Sequence, residues 1–364
     1  MPVSLDSVFD QTLLAAMIAE RYVKVTHHPH LPLRILNYTA RAQFDAVWNE
    51  VTENCRGLIV DDANIVVARG FRKFFNVAQH AAGSLPSGPV HVTEKLDGSL
   101  GILYPTLDGY AVATRGRFHS EQALHATALW QQRYAKHAKL DPALTYLVEI
   151  VYPDNRIVVD YDELDDLVLL AALDTESGRT VPFDQARETW PGPYATEHSF
   201  SSLAEVLAAA PVKNTEGFVV HFVEDDLRMK VKHDEYVRLH RIVTDVSERR
   251  VWEALSEGLD LSEWLEGVPD ELYAFVATTR DALLAAFSSL TEEMSARHQE
   301  LIASLPPEFS RRDFALGVAA LSASYPLAKG LFALHDGKDV SPMVWDQLRP
   351  SDHVPFFQVS PDTE

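Results

Sequence analysis

A lysine beside a tight turn is the first residue in the sequence whose type and position could carry covalent chemistry. Lys95 stands two residues before Asp97-Gly98 in the stretch VTEKLDGSLGILY, with strand-forming residues on both sides. Asp-Gly is a common turn, so the stretch alone predicts a hairpin with a solvated lysine. The alternative is nucleotidyl transfer, in which a lysine amine attacks the α-phosphate of a nucleotide. An amine attacks only when neutral, so this reaction requires nearby cations and a carboxylate for a metal ion.

The downstream chain supplies these groups in order. Glu149 interrupts an apolar strand, where burial of an unpaired carboxylate would be costly. Glu216 precedes the strand FVVHF, while Lys230 and Lys232 are two residues apart on another strand and therefore point to one face. That face would meet a triphosphate. Taken singly, Glu149 could be a buried ion pair and the two lysines a solvated strand edge. The combination favours nucleotidyl transfer.

The elements that must position these residues are mostly strands. Residues 5–22 predict a helix capped by Asp6 or Ser7. Between 23 and 244, β-branched runs separated by turn residues predict strand pairs in RGLIVDDANIVVARGF, in SLGILYPTLDGYAVATRG and between EGFVVHF and LRMKVKH. Further strands are predicted in LTYLVEIVYP and NRIVVDY (155–161), and Ser120 opens a helix. Beyond 245 the strand patterns almost vanish, and 270–305 carries apolar residues at helical spacing. The pattern predicts an α+β domain of antiparallel sheets with flanking helices over 1–244, followed by an all-helical domain over 245–364.

Composition narrows the setting of the protein. Of its 364 residues 46% are hydrophobic, but no window approaches the length of a membrane span, so no membrane partner is expected. The single cysteine, Cys55, excludes an internal disulfide and favours a cytoplasmic location. The net charge of −21 argues against nucleic acid as a partner, but about half of the surplus lies beyond residue 245. A basic cleft in the first domain is compatible with this distribution.

The sequence resembles the covalent nucleotidyltransferase superfamily of polynucleotide ligases and mRNA-capping enzymes. Within it, the chain is most similar to ATP-dependent RNA ligases of the bacteriophage RNA ligase 1 type. The resemblance covers about Arg34 to His240 and is carried by CRGLIV, RKFFN, EKLDGSL, RGRFHSEQAL, VEIVYPDNRIVVDY, NTEGFVV and KVKHDEYVRLH. It implies an ATP-grasp-like ligase fold for the first domain. The helical C-terminal domain is similar in kind, since DNA ligases and capping enzymes carry an OB fold there.

The resemblance also implies residue roles. Lys95 matches the lysine that is adenylylated, and Asp97 and Gly98 shape its turn. The other positions it places around the nucleotide are Tyr38, Arg56, Lys73, Phe75, Glu94, Arg115, Glu149, Glu216, Lys230 and Lys232. Glu216, through water, and Glu149 are the implied metal ligands. Arg115 stands where the family usually has a lysine, so positive charge is retained with a different geometry.

The implied reaction joins RNA 5′-phosphate and 3′-hydroxyl ends through a lysyl-AMP intermediate, with ATP as substrate and Mg²⁺ or Mn²⁺ as the metal. A nicked tRNA in a repair setting is the family-type substrate, and the acidic helical domain is expected to set RNA specificity or to be an accessory domain. Two alternatives remain at this stage. One is another ligase or a capping-type enzyme, and the other is an RNA-end-binding protein without catalysis.

Overall fold

The computed structural model describes residues 2–81, 85–234, 236–237, 246–261, 270–321 and 325–350. The chain divides into two compact units, Met1–Thr244 and Asp245–Glu364. The first unit is built of antiparallel sheets with short helices, and the described residues of the second unit form helices. The predicted fold class is therefore confirmed. The roles of the two units, adenylyl transfer and RNA specificity, stay predictions.

Three sheets make up the first unit. Their strands are β1 (Val23–His27), β2 (Leu33–Tyr38), β3 (Arg56–Asp61), β4 (Val66–Ala68), β5 (Phe75–Asn76), β6 (Val90–Glu94), β7 (Ser99–Thr106), β8 (Gly109–Thr114), β9 (Leu144–Val151), β10 (Asp166–Asp174), β11 (Glu197–His198), β12 (Gly217–Phe222) and β13 (Leu227–Lys232). The first sheet has the order β1-β2-β3-β4, the second β10-β9-β7-β8 and the third β11-β6-β12-β13-β5. The short pair β5–β13 is parallel, and the other neighbouring strands of these three sheets are antiparallel.

Helices cover these sheets and build the second unit. They are α1 (Gln11–Ala19), α2 (Ala40–Phe44), α3 (Glu50–Asn54), α4 (Glu121–Leu129), α5 (Phe183–Thr189), α6 (Leu203–Ala208), α7 (Glu248–Ser256), α8 (Asp270–Ser304), α9 (Arg311–Ala320), α10 (Tyr325–His335) and α11 (Ser341–Gln347). The prediction of one helix over 5–22 is wrong at its start. Asp10, not Asp6 or Ser7, caps α1 by accepting a hydrogen bond from the Leu13 N–H. Leu5–Ser7 forms a separate 3₁₀ turn.

One core cluster of the first unit lies between the first and second sheets. Ile35 and Ile59 of the first sheet pack there against Ile102 and Leu147 of the second. The opposite face of the second sheet packs under α4, against an aromatic group that includes Trp130. Because both faces are covered, β9 is buried along its whole length, which explains its nearly continuous apolar sequence LTYLVEIV.

The predicted strand NRIVVDY does not form. A 3₁₀ turn, Pro153–Asn155, follows β9, and the chain stays irregular until β10. The N–H groups of Val158 and Val159 donate to Asp97 Oδ2, at 2.8 and 2.9 Å. A side-chain acceptor thus takes the hydrogen bonds that a neighbouring strand would have received. The β-branched run in NRIVVDY would form a strand only if another strand accepted these hydrogen bonds.

The second unit is organised on one long helix. The predicted helix over 270–305 is confirmed as α8, which has 35 residues. Its apolar side packs on the shorter helices through Met294 with Val344 and through Leu301 with Phe314. No helix among the described residues is both long enough and apolar enough to cross a membrane.

Candidate active site

Lys95 lies where the chain crosses from one sheet to another. Strand β6 belongs to the third sheet and β7 to the second, so the intervening residues 95–98 join two sheets. The hairpin interpretation of VTEKLDGSLGILY is therefore wrong. The Lys95 N–H donates to the Gly217 carbonyl at 2.8 Å, which extends the pairing of β6 and β12 by one residue. This bond fixes the start of the crossing, and the Lys95 side chain is only 20% exposed.

One buried carboxylate holds two lysines. Lys95 Nζ lies 2.7 Å from Glu216 Oε2, and Lys232 Nζ lies 3.0 Å from Glu216 Oε1. Glu216 directly precedes β12, and Lys232 ends β13 opposite Gly217 in the antiparallel register. The side chain of Glu216 is 3% exposed, so both ion pairs are shielded from solvent. Lys95, Glu216 and Lys232, predicted from separate motifs, form one group.

Glu149 joins the same group from the second sheet. Its Oε1 accepts a hydrogen bond from the Gly98 N–H at 3.0 Å. A Cβ on Gly98 would lie 2.6 Å from the Ile150 carbonyl oxygen, so the crossing segment requires a glycine to pack directly on β9. Burial raises the pKa of Glu149 to about 8, against the attraction of Lys95 and with added repulsion from Glu216 and Asp97. Burial therefore favours the protonated form of this carboxyl, and added positive charge in the site would favour the carboxylate.

Asp97 ties the crossing segment to two other parts of the chain. Its Oδ2 accepts from Val158 and Val159, as described above, and its Oδ1 accepts from the Tyr236 hydroxyl at 2.7 Å. The Asp97 N–H in turn donates to the Tyr161 hydroxyl at 2.8 Å. With 3% exposure, the residue is surrounded by protein donors. In this geometry Asp97 shapes the turn that carries Lys95, and direct nucleotide contact by Asp97 stays a prediction.

Tyr38, Lys73, Phe75 and Arg115 form a second group. The Arg115 Nη1 donates to the Tyr38 hydroxyl at 3.0 Å, and its guanidinium lies 4.9 Å from the centre of the Tyr38 ring. Lys73 Nζ lies 5.4 Å from the same ring centre and 5.3 Å from that of Phe75. The arginine that replaces the usual lysine therefore donates to, and lies over, a tyrosine that was also predicted to line the site.

Arg56 and Lys230 meet at a third aromatic ring. The Arg56 guanidinium lies 5.5 Å, and Lys230 Nζ 5.3 Å, from the centre of the Phe74 ring. Lys230 also stands opposite Asn76, the residue after Phe75, in the parallel pairing of β13 with β5. The KFFN segment therefore connects the β13 lysine with the upstream arginine. Glu94 ends β6 opposite Phe218, and its N–H donates to the Thr196 carbonyl at 2.8 Å.

Several residues of the site were not assigned to it from the sequence. Tyr236, whose hydroxyl donates to Asp97, was not among the predicted site residues. Tyr161 was predicted to lie in a strand. Trp48, whose ring lies 5.0 Å from Lys73 Nζ, carried no signal because it stands in a loop without periodicity. The position of Tyr236, four residues after Lys232, is the one cue that could have pointed to it.

The donor set suits a hard divalent cation bound together with phosphates. Glu149 and Glu216 supply carboxylate oxygens, which Mg²⁺ and Mn²⁺ accept. Among the described residues no group of three or more His, Cys, Asp or Glu side chains is arranged to hold a metal alone. Any metal here would need further ligands from phosphate or water, which is usual for Mg²⁺.

Two viral proteins are similar to this chain in sequence. A baculovirus protein named "Putative bifunctional polynucleotide kinase/RNA ligase", from Autographa californica nuclear polyhedrosis virus, is 29% identical over 252 residues, or 60% of this chain and 35% of that protein. The RNA ligase of Rhodothermus phage RM378 is 23% identical and covers 84% of this chain and 86% of its own. The chain therefore spans about a third of the baculovirus protein.

Solved structures give weaker likenesses. An archaeal ATP-dependent RNA ligase is 14% identical, with 90% of this chain and 96% of that chain covered and a TM-score of 0.43. The Naegleria gruberi RNA ligase with PPi is 17% identical, with 43% and 52% covered and a TM-score of 0.35. The family assignment therefore depends on sequence.

The family model described as RNA ligase, of the T4 RNA ligase 1 type, matches residues 54–236. This match covers half of the chain and includes Lys95, Glu149, Glu216 and Lys232, which the fold brings together. The chain belongs to this RNA ligase family.

Proposed function

We propose that this protein is an ATP-dependent RNA ligase that joins 5′-phosphate and 3′-hydroxyl ends through AMP bound to Lys95. The observation that carries the proposal is the position of the Lys95 amine, 2.7 Å from Glu216 and next to the Gly98–Glu149 contact. A nucleophile for phosphorus needs both a fixed position and surrounding charge, and this lysine has both. Membership of the RNA ligase family supports the choice of chemistry.

The proposed reaction has three balanced steps. The Lys95 amine loses a proton and forms a bond to the α-phosphorus of ATP, and the bond to the β-phosphate breaks to release pyrophosphate. An oxygen of an RNA 5′-phosphate then displaces the lysine and takes the AMP. Finally, a 3′-hydroxyl loses its proton, attacks the adenylylated 5′-phosphate and expels AMP. Each step accumulates negative charge on equatorial phosphate oxygens, so catalysis depends on positioning and on cations.

The residues of this chain divide these tasks. Glu216 keeps Lys95 and Lys232 at fixed places before ATP enters, and Lys232 and Lys230 end the strand on which the phosphates would lie. Arg115 and Arg56, held against aromatic rings, add positive charge. Glu216, through water, and Glu149 would hold Mg²⁺ or Mn²⁺, which would neutralise charge on the phosphates when bound.

The finer assignments belong to the same proposal. RNA ends are the proposed partner, and a nicked tRNA loop in the cytoplasm is the proposed substrate. The name of the baculovirus relative pairs a polynucleotide kinase with an RNA ligase, and a kinase makes the 5′-phosphate that a ligase uses. The helical second unit is the proposed determinant of RNA choice. It carries 20 acidic and nine basic residues over 246–364, so it would contact RNA through a few local basic positions.

Transfer of label from α-labelled ATP to the protein tests the proposal. The wild type and the exposed-lysine control Lys136→Ala should become labelled, whereas Lys95→Ala should not. A chase with 5′-phosphorylated RNA should then move the label to RNA. Labelled Lys95→Ala would remove this lysine as the nucleophile.

The same assay separates the alternatives. Labelling by GTP in place of ATP would indicate capping-type chemistry, and transfer to DNA ends in place of RNA would indicate another polynucleotide ligase. A folded wild-type protein that forms no adduct with either nucleotide, but binds RNA ends, would be a binding protein without catalysis.

A further inference from the structure

Three aromatic rings surround the ammonium of Lys73. Its Nζ lies 5.0 Å from the ring centre of Trp48, 5.3 Å from that of Phe75 and 5.4 Å from that of Tyr38. Lys73 is 6% exposed, and its Nζ also donates to the neutral Gln43 Oε1 at 3.3 Å. We call Tyr38, Trp48 and Phe75 the ring cage.

Trp48 is the central member of the ring cage. Its ring meets Tyr38 edge-on, with centres 5.2 Å apart and planes at 87°, and meets Phe75 at 5.4 Å and 75°. Tyr38 ends β2, Phe75 begins β5 and Trp48 lies in the loop before α3, so the cage joins three separate segments. The next residue, Asn49, caps α3 by accepting from the Val51 and Thr52 N–H groups, which fixes the loop.

Contact with a ring orients a cation without cancelling its charge. The face of an aromatic ring attracts a cation through its quadrupole but carries no net charge. The cage contacts therefore hold the Lys73 ammonium in place and add no counter-charge of their own.

The ring cage borders the other cations of the candidate site. Its Tyr38 hydroxyl accepts from Arg115 Nη1 at 3.0 Å. Its Phe75 belongs to the short strand β5, whose next residue, Asn76, stands opposite Lys230 on β13. Lys73 is thus placed in one connected set with Arg115 and Lys230, two of the cations proposed to act on the phosphates.

We propose that Trp48 is a positioning residue for adenylyl transfer, because its ring holds the Lys73 ammonium in the same connected set as Arg115 and Lys230, as a further cation for the polyphosphate of ATP. This inference rests on the proposed function. Trp48 acts through Lys73 and touches neither the reacting amine nor the phosphorus. Loss of its ring should therefore weaken ATP binding more than it slows the chemical step.

Two substitutions of Trp48 test the role. Trp48→Leu keeps apolar volume but removes the ring, and Trp48→Phe keeps a ring. In lysyl-AMP formation, Trp48→Leu should raise the KM for ATP about tenfold with a smaller change in kcat, and Trp48→Phe should stay within about threefold of wild type. In a Lys73→Met background, Trp48→Leu should raise KM no further. An unchanged KM in Trp48→Leu, or an equal rise in both backgrounds, would overturn the proposal.

A matched control is Tyr194→Leu. It removes an exposed ring that lies outside the ring cage, with its centre 4.8 Å from the Arg187 guanidinium. This variant should leave the KM for ATP unchanged. Thermal unfolding monitors the fold of every variant. If Trp48→Leu fails to fold, Trp48→Phe is compared in the wild-type and Lys73→Met backgrounds instead. Its weaker ring should raise the KM for ATP two- to threefold in the wild-type background only. No rise there, or the same rise with Lys73→Met, would overturn the proposal.

The affinity for inorganic tripolyphosphate separates this inference from the proposed function. If the wild type forms no adduct with ATP, the proposed function is refuted. The role of the ring cage can still be tested, because tripolyphosphate binding does not require the reaction. Trp48→Leu should then bind about tenfold more weakly than wild type, with no further loss in Lys73→Met. Equal affinities of wild type and Trp48→Leu would refute the inference alone.

Discussion

Two carboxylates organise the candidate site at the scale of single residues. Glu216 binds one lysine with each oxygen, and Asp97 accepts two backbone N–H groups and a tyrosine hydroxyl. Both side chains are almost fully buried, where an unpaired charge would be very costly. These hydrogen bonds and ion pairs fix the position of Lys95 before any substrate is present.

Tyr236→Phe should loosen this arrangement while preserving shape. The variant removes the donor at 2.7 Å from Asp97 Oδ1 and leaves a buried carboxylate one hydrogen bond short. We expect the free energy of unfolding to fall by about 2 kcal/mol, since bonds to charged groups contribute this much. We also expect slower labelling of Lys95 in single turnovers, because the turn is less well held. Urea unfolding and a rapid-quench labelling assay measure the two effects.

The control for this prediction is Tyr194→Phe, which alters an exposed tyrosine of the same unit. It should change neither quantity. Unaltered stability and unaltered labelling in Tyr236→Phe would show that the Asp97 contact does not hold the turn.

The sequence predicts the charged members of the site far better than the residues that support them. Lys95, Glu149, Glu216 and Lys232 could be found because chemistry restricts their residue types and order. The partners of Asp97 could not be found, since Val158 contributes only its backbone N–H and any residue has one. Trp48 was missed for a related reason, because a ring contact across three segments leaves no spacing in the sequence.

Two strand ends bring the charges together at the scale of elements. Glu216 directly precedes β12 and Lys232 ends β13, and the antiparallel register places Gly217 opposite Lys232. The strands approach closely here because Gly217 has no side chain. A Cβ at this position would lie 2.0 Å from the Val231 carbonyl oxygen, and the backbone angle φ is +139°. This glycine therefore sets the position of the Lys95 backbone, which donates to its carbonyl.

Gly217→Ala should cost much more stability than Gly109→Ala. Both glycines have positive φ, +139° and +123°, so both variants strain the backbone. Gly109 lies at the β7–β8 turn, where an added Cβ would meet nothing within 4 Å, and only strain of about 1 kcal/mol is expected there. Gly217→Ala adds a backbone clash, and we expect a loss of about 4 kcal/mol. Thermal unfolding and Lys95 labelling compare the pair, and equal losses would show that strand spacing does not matter.

The turn between β1 and β2 depends on one neutral histidine. His28 is half-buried, and its Nδ1 accepts from the His30 and Leu31 N–H groups at 3.1 and 3.0 Å. Its Nε2 is 3.3 Å from the Tyr104 hydroxyl, and the rings of His119 and His30 lie nearby. Burial, then His119 and His30, lower the pKa of His28 below its ordinary value. Protonation at Nδ1 would break both turn hydrogen bonds.

Acid should therefore destabilise this turn. Because the pKa of His28 is lowered in the folded protein, the unfolded chain binds the proton more tightly. The contribution is fully present above the ordinary histidine pKa of about 6.5 and is lost as pH falls through the folded value. His28→Asn offers a side-chain oxygen as acceptor and should reduce the drop in melting temperature between pH 7.5 and 5.5. The exposed His137→Asn is the control, and an equal drop in all three proteins would contradict the assignment.

Elements could be predicted from the sequence where their partners are local. The pairs β3–β4, β7–β8 and β12–β13 were predicted from turns between β-branched runs and are confirmed. The crossing between β6 and β7 was not, because a turn sequence does not tell whether the two strands share a sheet.

Charge is distributed unevenly at the scale of the whole molecule. The net charge is −21, yet the candidate site gathers Arg56, Lys73, Arg115, Lys230 and Lys232. A cluster of this kind attracts phosphates locally, whereas the acidic remainder repels nucleic acid that is not held by specific contacts. Net charge alone therefore does not argue against the proposed RNA partner.

The two units allow a last prediction, that residues 1–244 alone form the Lys95 adduct. Each described contact that positions Lys95, from Gly217, Glu216, Glu149, Lys232 and Tyr236, lies within Met1–Thr244. Labelling by α-labelled ATP should therefore be within about tenfold of the full chain, since the chemistry needs only this unit. Sealing of nicked RNA should fall much further, because the proposed determinant of RNA choice is absent. A folded 1–244 fragment that takes no label would show that the second unit contributes to adenylyl transfer itself.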